Sequence, residues 1–418
     1  MGNKILDKSI LKEMKVKPLI LGSDINAYSL ARIFHEYYDI IPDLYAMEAL
    51  PQTANSNILR LKTIDNFNKQ DVFVENIINY AKDNEGSIII VIPCSDFYSK
   101  ALSLNKDKLK KYVRFNVPSA ELNAKLENKL DFYETADKYG IPYPKTTFVN
   151  SLSDFNTKKV TYPIVLKPQD SIYFYESKIK DKRKVYILDN EQEVLEALEN
   201  IYNSEYTDKM IIQDFIPGDA TNSMSLNAYC DVNGKVRMMA LGQILLDDPL
   251  PLMIGNNNAI YTVSDQTLFD KYEKFLNDIS YTGFANIDLK FDKRDGQYKA
   301  FEMNLRLPAT NFFMVTGGLI HIDFLLRDLL EIDYDQDVYY HHDTNKLWLN
   351  ASPILLKRYT NKKYHDKIDE LLKNGYEYSI WYKNDRNFKR FMLYMKRRLG
   401  TIKHFYKFGK KPDHTIDE

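Results

Sequence analysis

Cysteine is nearly missing from this chain of 418 residues. Its two copies, Cys94 and Cys230, cannot build a disulfide framework, and no CxxC pair or Cys/His cluster suggests zinc. Net charge is missing too. Lys+Arg 57 against Asp+Glu 58 leave −1, which argues against a chain-wide nucleic-acid footprint. No run approaches about 18 consecutive apolar residues, so no membrane-crossing helix is expected. There is no GxGxxG, so the dinucleotide fingerprint is absent. The opening MGNKILDKSI has neither an apolar signal core nor the Ser/Thr of a myristoylation site, and a cytoplasmic location is expected. What is present, 44% hydrophobic and 28% charged residues, suits a soluble globular protein of two or three domains.

Short apolar runs alternate with amphipathic segments at the start. Val16 to Leu21 and Ser87 to Pro93 read as buried strands, and AYSLARIFHEYY and DVFVENIINYAKDN as helices. This pattern predicts a parallel α/β layer over roughly the first 115 residues. Both strands run into small polar residues, Gly22-Ser23-Asp24 and Cys94-Ser95-Asp96, where open α/β sheets place ligands. From Ala120 the texture changes. ELNAKLENKLDFYETADKYG reads as one helix stopped by Gly140, and strands with a few helices follow to about Glu331. The domains expected are 1–119, 120–212, 213–337 and an aromatic, basic extension, 338–418.

FANIDLKFDKRDGQYKAFEMNLR is the most informative stretch. Its alternation puts Ala285, Ile287, Leu289 and Phe291 on one face, with Asn286, Asp288 and Lys290 on the other. On the return strand Phe301, Met303 and Leu305 are expected to face the core, and Glu302, Asn304 and Arg306 to face away. Asp288 then falls opposite Glu302, with Cβ atoms about 5 Å apart. Opposed like charges call for neutralisation, and Mg²⁺ is commonly held by one or two carboxylates plus phosphates. An ordinary amphipathic hairpin with a wet polar face would show the same alternation. Lys167, at the end of the apolar run YPIVLKP, suits an anion partner such as phosphate, or simply snorkels. Lys129, taken alone, reads as a surface helix lysine, and IIQDFIPGD as a strand running into a Pro-Gly turn.

In their order along the chain, these pieces resemble the ATP-grasp superfamily of carboxylate–amine ligases. The matching elements are NKLDFYETADKYGIPYPKT, YPIVLKP, MIIQDFIPGD, GFANIDLKFD and FEMNLR, the last close to a Glu-x-Asn-x-Arg signature. Within the superfamily the chain looks most like the D-aspartate ligase group, which attaches an amino acid to the lysine side-chain amine of a peptidoglycan precursor. The resemblance implies an N-terminal parallel α/β domain followed by two α+β lobes clasping ATP, and a basic helical C-terminal extension. It also implies ATP and Mg²⁺ as cofactors, and a small-molecule carboxylate and an amine acceptor as partners.

Residue by residue, the resemblance assigns Lys129 and Lys167 to the ATP phosphates and Gln213, Asp214, Phe215 and Ile216 to the adenine strand. It puts Asp219 near the ribose, Asp288, Glu302 and Asn304 on the metal, and Arg306 on the transferred phosphate. One departure stands out: Gln169 to Tyr186 has no glycine where many family members have a glycine-rich loop. Ser171, Lys178, Lys182, Arg183 and Lys184 are candidates to cover the phosphates by side chain, with Lys184 as the phosphate contact; an exposed charged loop is the alternative. Two further functions stay open: a ligase making another amide, such as a dipeptide or a different cell-envelope precursor, and a non-catalytic nucleotide-binding protein of envelope assembly.

The segment Lys383 to Lys411 holds eleven Lys/Arg and one acid, Asp385. Phe388, Phe391, Met392, Met395, Leu399 and Ile402 recur in it at helical spacing. A basic amphipathic helix of this kind suits an anionic membrane, which would place the protein peripherally at the inner face. The other expectation is a helix packed on the ligase body through its apolar stripe. Nucleic acid is disfavoured by the neutral remainder.

Overall fold

The computed structural model describes residues 4–156, 160–183, 185–250, 253 and 255–409. Among them the strands form three sheets. The first is parallel, in the order β3-β2-β1-β4, built from β1 (Val16–Leu21), β2 (Asp43–Ala46), β3 (Arg60–Thr63) and β4 (Ile88–Pro93). The central strand β1 and its neighbour β4 are apolar runs because helices flank the sheet, while the edge strand β3 is mostly exposed. Asp24 and Ser95 turn the chain from strand to helix, accepting from the amides of Ala27 and Tyr98 at the starts of helices Ile25–Tyr38 and Asp96–Leu104.

The second sheet is antiparallel, ordered β5-β8-β6-β7 from β5 (Thr146–Val149), β6 (Ile164–Pro168), β7 (Tyr186–Leu188) and β8 (Met210–Asp214). Helix Glu191–Tyr202 packs on it through Val194, Leu198 and Ile201. The third sheet is the largest. It runs β13-β12-β9-β10-β11-β15-β16, from β9 (Ser223–Cys230), β10 (Val236–Asp247), β11 (Asn257–Val263), β12 (Gly283–Asp292), β13 (Gln297–Asn304), β15 (Leu347–Leu349) and β16 (Tyr376–Tyr378), with β14 (Tyr339–Tyr340) beside β10. Residues 338–418, expected as a basic helical extension, thus supply three strands besides the long helix Phe388–Phe408.

The first and third sheets share one core. Phe34 and Ile92 belong to the same buried cluster as Phe313, Leu325 and Trp348. Buried hydrogen bonds lock the chain just after β13 onto the N-terminal layer. Ser99 donates to the Leu305 carbonyl (2.8 Å) and Asn26 to that of Leu307 (2.7 Å). These bonds fix where Arg306 points.

Four expectations need correction. The single helix 121–140 is two, Ala120–Glu127 and Lys129–Lys138. Asn128 adopts an extended conformation (ψ 118°) and caps the second helix, accepting from the amides of Leu130 and Asp131. The stretch after Pro168 begins with a helix, Ser171–Glu176, rather than a loop. Phe301 does not join Met303 in the core. The register jumps from Asp288↔Glu302 to Leu289↔Ala300, and this bulge re-aims Phe301 towards Lys167, whose Nζ lies 5.8 Å from the ring centroid. Finally, the 388–408 helix does not pack through its apolar stripe, which is exposed to solvent.

Candidate active site

A cavity of about 610 Å³ opens where the three sheets meet, within the size range of small-molecule sites. Asp96 lines it from the N-terminal layer, Lys129 and Gln169 from the middle segment, and Glu302, Asn304 and Arg306 from the end of β13. Four residues expected at the phosphates, metal and transferred group, Lys129, Glu302, Asn304 and Arg306, therefore share one wall system.

Lys129 owes its position to the helix break. It is the first residue of its helix, and its Nζ donates to the Gln169 carbonyl (3.2 Å), two residues after Lys167. Lys167 sits next to this cavity on β6, beside the Phe301 ring. Lys129 lines the cavity itself, and Lys167 lies two residues before Gln169, which also lines it.

Asp288 and Glu302 stand directly opposite each other in the β12–β13 pair, as the alternation predicts. Asn304 donates to Asp288 Oδ2 (3.4 Å) and Asn286 Oδ1 (2.9 Å), and its own oxygen accepts from Arg306 (3.3 Å). Metal ligation by that oxygen would require the amide to rotate. Among the described residues no group of three or more His, Cys, Asp and Glu gathers. Two carboxylates plus one amide oxygen form a hard, incomplete donor set, which fits Mg²⁺, an ion that keeps waters and phosphate oxygens.

Arg306 is the hub. One guanidinium nitrogen donates to Asp96 (2.9 Å) and to Asn304, another to the Leu307 carbonyl (3.3 Å), and Nε is buried without a hydrogen-bond partner among the described residues. Burial works against its charge, but Asp96, Asp288 and Glu302 more than offset that and raise its pKa. It stays cationic beside the two opposed carboxylates.

The residues expected at the nucleoside lie outside this cavity, and they divide. Phe215 is half-buried under Lys290, whose Nζ is 5.6 Å from the ring centroid and donates to the Gly218 carbonyl (2.8 Å). Ile216 is buried. Asp219 accepts from the Thr221 amide (2.8 Å) and hydroxyl (2.5 Å), both through Oδ1. Gln213 instead is buried, donating to Tyr133 Oη (2.8 Å) on helix Lys129–Lys138 and to Thr146 Oγ1 (3.0 Å) on β5. Asp214 pairs with Arg294 (2.7 Å), which also holds Asp292 at the hairpin turn. Lys184 lies outside the described residues. Of its neighbours, Lys178 reaches towards Glu205 (3.7 Å), and Arg183 lies near the Tyr186 ring (5.9 Å).

Sequence reasoning missed Asp96, Gln169, Lys290 and Phe301 as site residues. Asp96 did carry a signal, its place at the carboxyl end of a parallel strand. Phe301 carried none, because a bulge cannot be read from alternation.

No protein-family model matches the chain. It is 35% identical over 392 residues to a D-aspartate ligase from Enterococcus faecium (strain Aus0004), covering 90% of this chain and 92% of that protein. Solved structures at 15% identity share the fold. The biotin carboxylase domain of Hydrogenobacter thermophilus 2-oxoglutarate carboxylase, solved with MgADP, has a TM-score of 0.57, with 77% of this chain and 71% of that one covered. An L-amino acid ligase from Bacillus licheniformis has a TM-score of 0.53, with 75% and 74% covered. An N5-carboxyaminoimidazole ribonucleotide synthetase solved with ADP has a TM-score of 0.56, with 81% of each chain covered. The extent of the first match, on a fold with its ligand cavity at the junction of three sheets, shows that the chain belongs to the D-aspartate ligase family of ATP-grasp carboxylate–amine ligases, enzymes that use ATP and Mg²⁺ to form an amide bond.

Proposed function

We propose that this ligase activates D-aspartate and joins it to the lysine side-chain amine of a peptidoglycan precursor in the cytoplasm, next to the inner face of the membrane. The observation that carries the reading is the 35% identity, spread over nine-tenths of the chain, to a D-aspartate ligase. When bound, ATP with Mg²⁺ converts the carboxylate to an acyl phosphate that an amine can attack. The protein's part in such chemistry is positioning and charge stabilisation.

Lys129 and Lys167 hold the phosphates, entering from a helix start and a strand end on two sides of one space. Asp288, Glu302 and Asn304 hold the metal. Phe215 and Ile216 form the apolar rest for the adenine, and Asp219 offers Oδ2 to a ribose hydroxyl. Arg306 directs its guanidinium charge at the transferred group, then at the oxyanion that develops as the amine attacks. Asp96 orients Arg306 and brings a negative charge to the side from which an ammonium would approach.

Hydroxylamine trapping tests this reading. Protein, ATP, Mg²⁺ and single L- and D-amino acids are incubated with hydroxylamine, and acyl hydroxamates are sought by mass spectrometry, with and without a precursor peptide. A hydroxamate from D-aspartate alone is expected. One from a different acid would keep the ligase and discard D-aspartate.

A further inference from the structure

The helix Phe388–Phe408 is held on one side and bare on the other. On the held side, buried Arg390 pairs with Asp385 (2.9 Å), lies over the Tyr28 ring (4.6 Å) and donates to the Gln52 and Ala54 carbonyls. Further along, Tyr394 stacks on Trp381 (4.5 Å), Arg398 donates to the Ala351 carbonyl (3.1 Å), and Phe405 is buried against Tyr359 (5.1 Å). These contacts tie the helix to the N-terminal layer at one end and to the third sheet at the other. It is a rigid part of the body.

The neighbouring side, about 100° round the helix, inverts the usual pattern. Phe388 is 78% exposed, Met392 52%, Leu399 61% and Tyr406 60%; Phe391, Met395 and Ile402 are also exposed. At 3.6 residues per turn these seven fall within an arc of about 100°. Lys389, Lys396, Lys403 and Lys407, all exposed, run along one border of that arc. The helix has no Asp or Glu. Amphipathic surface helices normally turn their apolar face to the core. Here arginines and aromatic rings do the internal packing, and the large aliphatic and aromatic residues face water. A contiguous exposed apolar face marks an interaction site.

We propose that this outer face docks on an anionic lipid bilayer. The stripe runs the length of a helix about 30 Å long for 21 residues, an extended face that suits a plane. Lysines at its border can bury their stems and raise their ammonium groups to lipid phosphates while the apolar residues enter the acyl boundary. The unbroken positive sign is the complement of an anionic surface. Because the face is preformed, docking needs no folding step, and the cavity residues are untouched by it.

Flotation of the full-length protein with vesicles tests the proposal, using phosphatidylcholine alone and phosphatidylcholine mixed with phosphatidylglycerol. The protein is expected to float with the mixed vesicles, less as salt rises, and to stay behind with the neutral ones. Each Lys→Gln change at 389, 396, 403 or 407 is expected to lower partition about fivefold. Met392→Ser with Leu399→Ser should abolish it while leaving ATP turnover in solution unchanged. The proposal is overturned if mixed vesicles fail to float the wild type, or if they float it and the serine variant equally. It is also overturned if sedimentation shows that this face joins two copies of the chain, with a dimer that the serine variant loses and no vesicle binding.

Discussion

Arg306 and Asp96, 210 residues apart in sequence, meet at 2.9 Å and join the end of β13 to the N-terminal layer. A lysine cannot reproduce the forked geometry of that guanidinium, which spans Asp96, Asn304 and the Leu307 carbonyl. Arg306→Lys is expected to lower kcat about 10²–10³-fold, with ATP affinity little changed. Asp96→Asn, which loosens the arginine without removing it, should cost less. Steady-state kinetics with ATP binding by calorimetry check both, and equal losses in kcat and ATP affinity would contradict the transfer role of Arg306.

The opposed carboxylates Asp288 and Glu302 predict a metal phenotype. Glu302→Gln and Asp288→Asn should each reduce turnover about 10²-fold or more and raise the Mg²⁺ concentration for half-maximal activity. Direct Mn²⁺ binding, followed by electron paramagnetic resonance in the presence of ADP, should weaken in parallel. Unaltered Mn²⁺ affinity in both variants would place the metal elsewhere.

Asn128 caps the helix that begins at Lys129, the residue proposed at the ATP phosphates. Asn128→Ala removes the cap from the helix that begins at Lys129, at a cost of about 1 kcal/mol. It should also weaken ATP binding, while Asn128→Asp, another capping residue, retains both. Denaturant melts and ATP titrations of the two variants separate this from a merely local effect. Equal ATP affinity in wild type and Asn128→Ala would detach the cap from the site.

His321 gives a pH signature. It is fully buried, meets the Phe284 ring edge-on, and neither ring nitrogen has a hydrogen-bond partner among the described residues. Burial pushes its pKa down to about 3. The unfolded chain binds a proton near pH 6.5 that the folded protein refuses. Stability is therefore expected to fall as pH drops from about 6.5 towards 3. His321→Phe should flatten that slope, and chemical denaturation across this range checks it; identical slopes would mean that His321 is not buried neutral.

Much of the site was legible because its elements are local. The β12–β13 hairpin carries its own register in the alternation of Ile287, Leu289 and Met303 with Asp288, Glu302 and Asn304, since a one-residue slip would expose the apolar set. The strand ends at Asp24 and Asp96 were visible as apolar runs breaking into capping residues. Gln213 shows the limit. Its place in the chain suggested a nucleotide contact, and its buried side chain bonds to Tyr133 and Thr146 between the helix Lys129–Lys138 and the second sheet.

The sequence by itself determined the two buried strands at the centre of the parallel layer, the opposed carboxylates and the ligase family, because periodicity, caps and motif spacing act over a few residues. Only the tertiary structure decided that Asn128 breaks a helix to place Lys129, that a bulge turns Phe301 to Lys167, and that Asp96 meets Arg306. It also decided which side of the 388–408 helix is buried. Each of these depends on which distant surfaces close against each other, and a helix with Arg390, Tyr394, Arg398 and Phe405 on one side and a stripe of Phe, Met, Leu and Ile beside them offers two faces that can pack. The ion pair of Arg390 with Asp385 and the burial of Phe405 resolve that choice, leaving the apolar stripe outside.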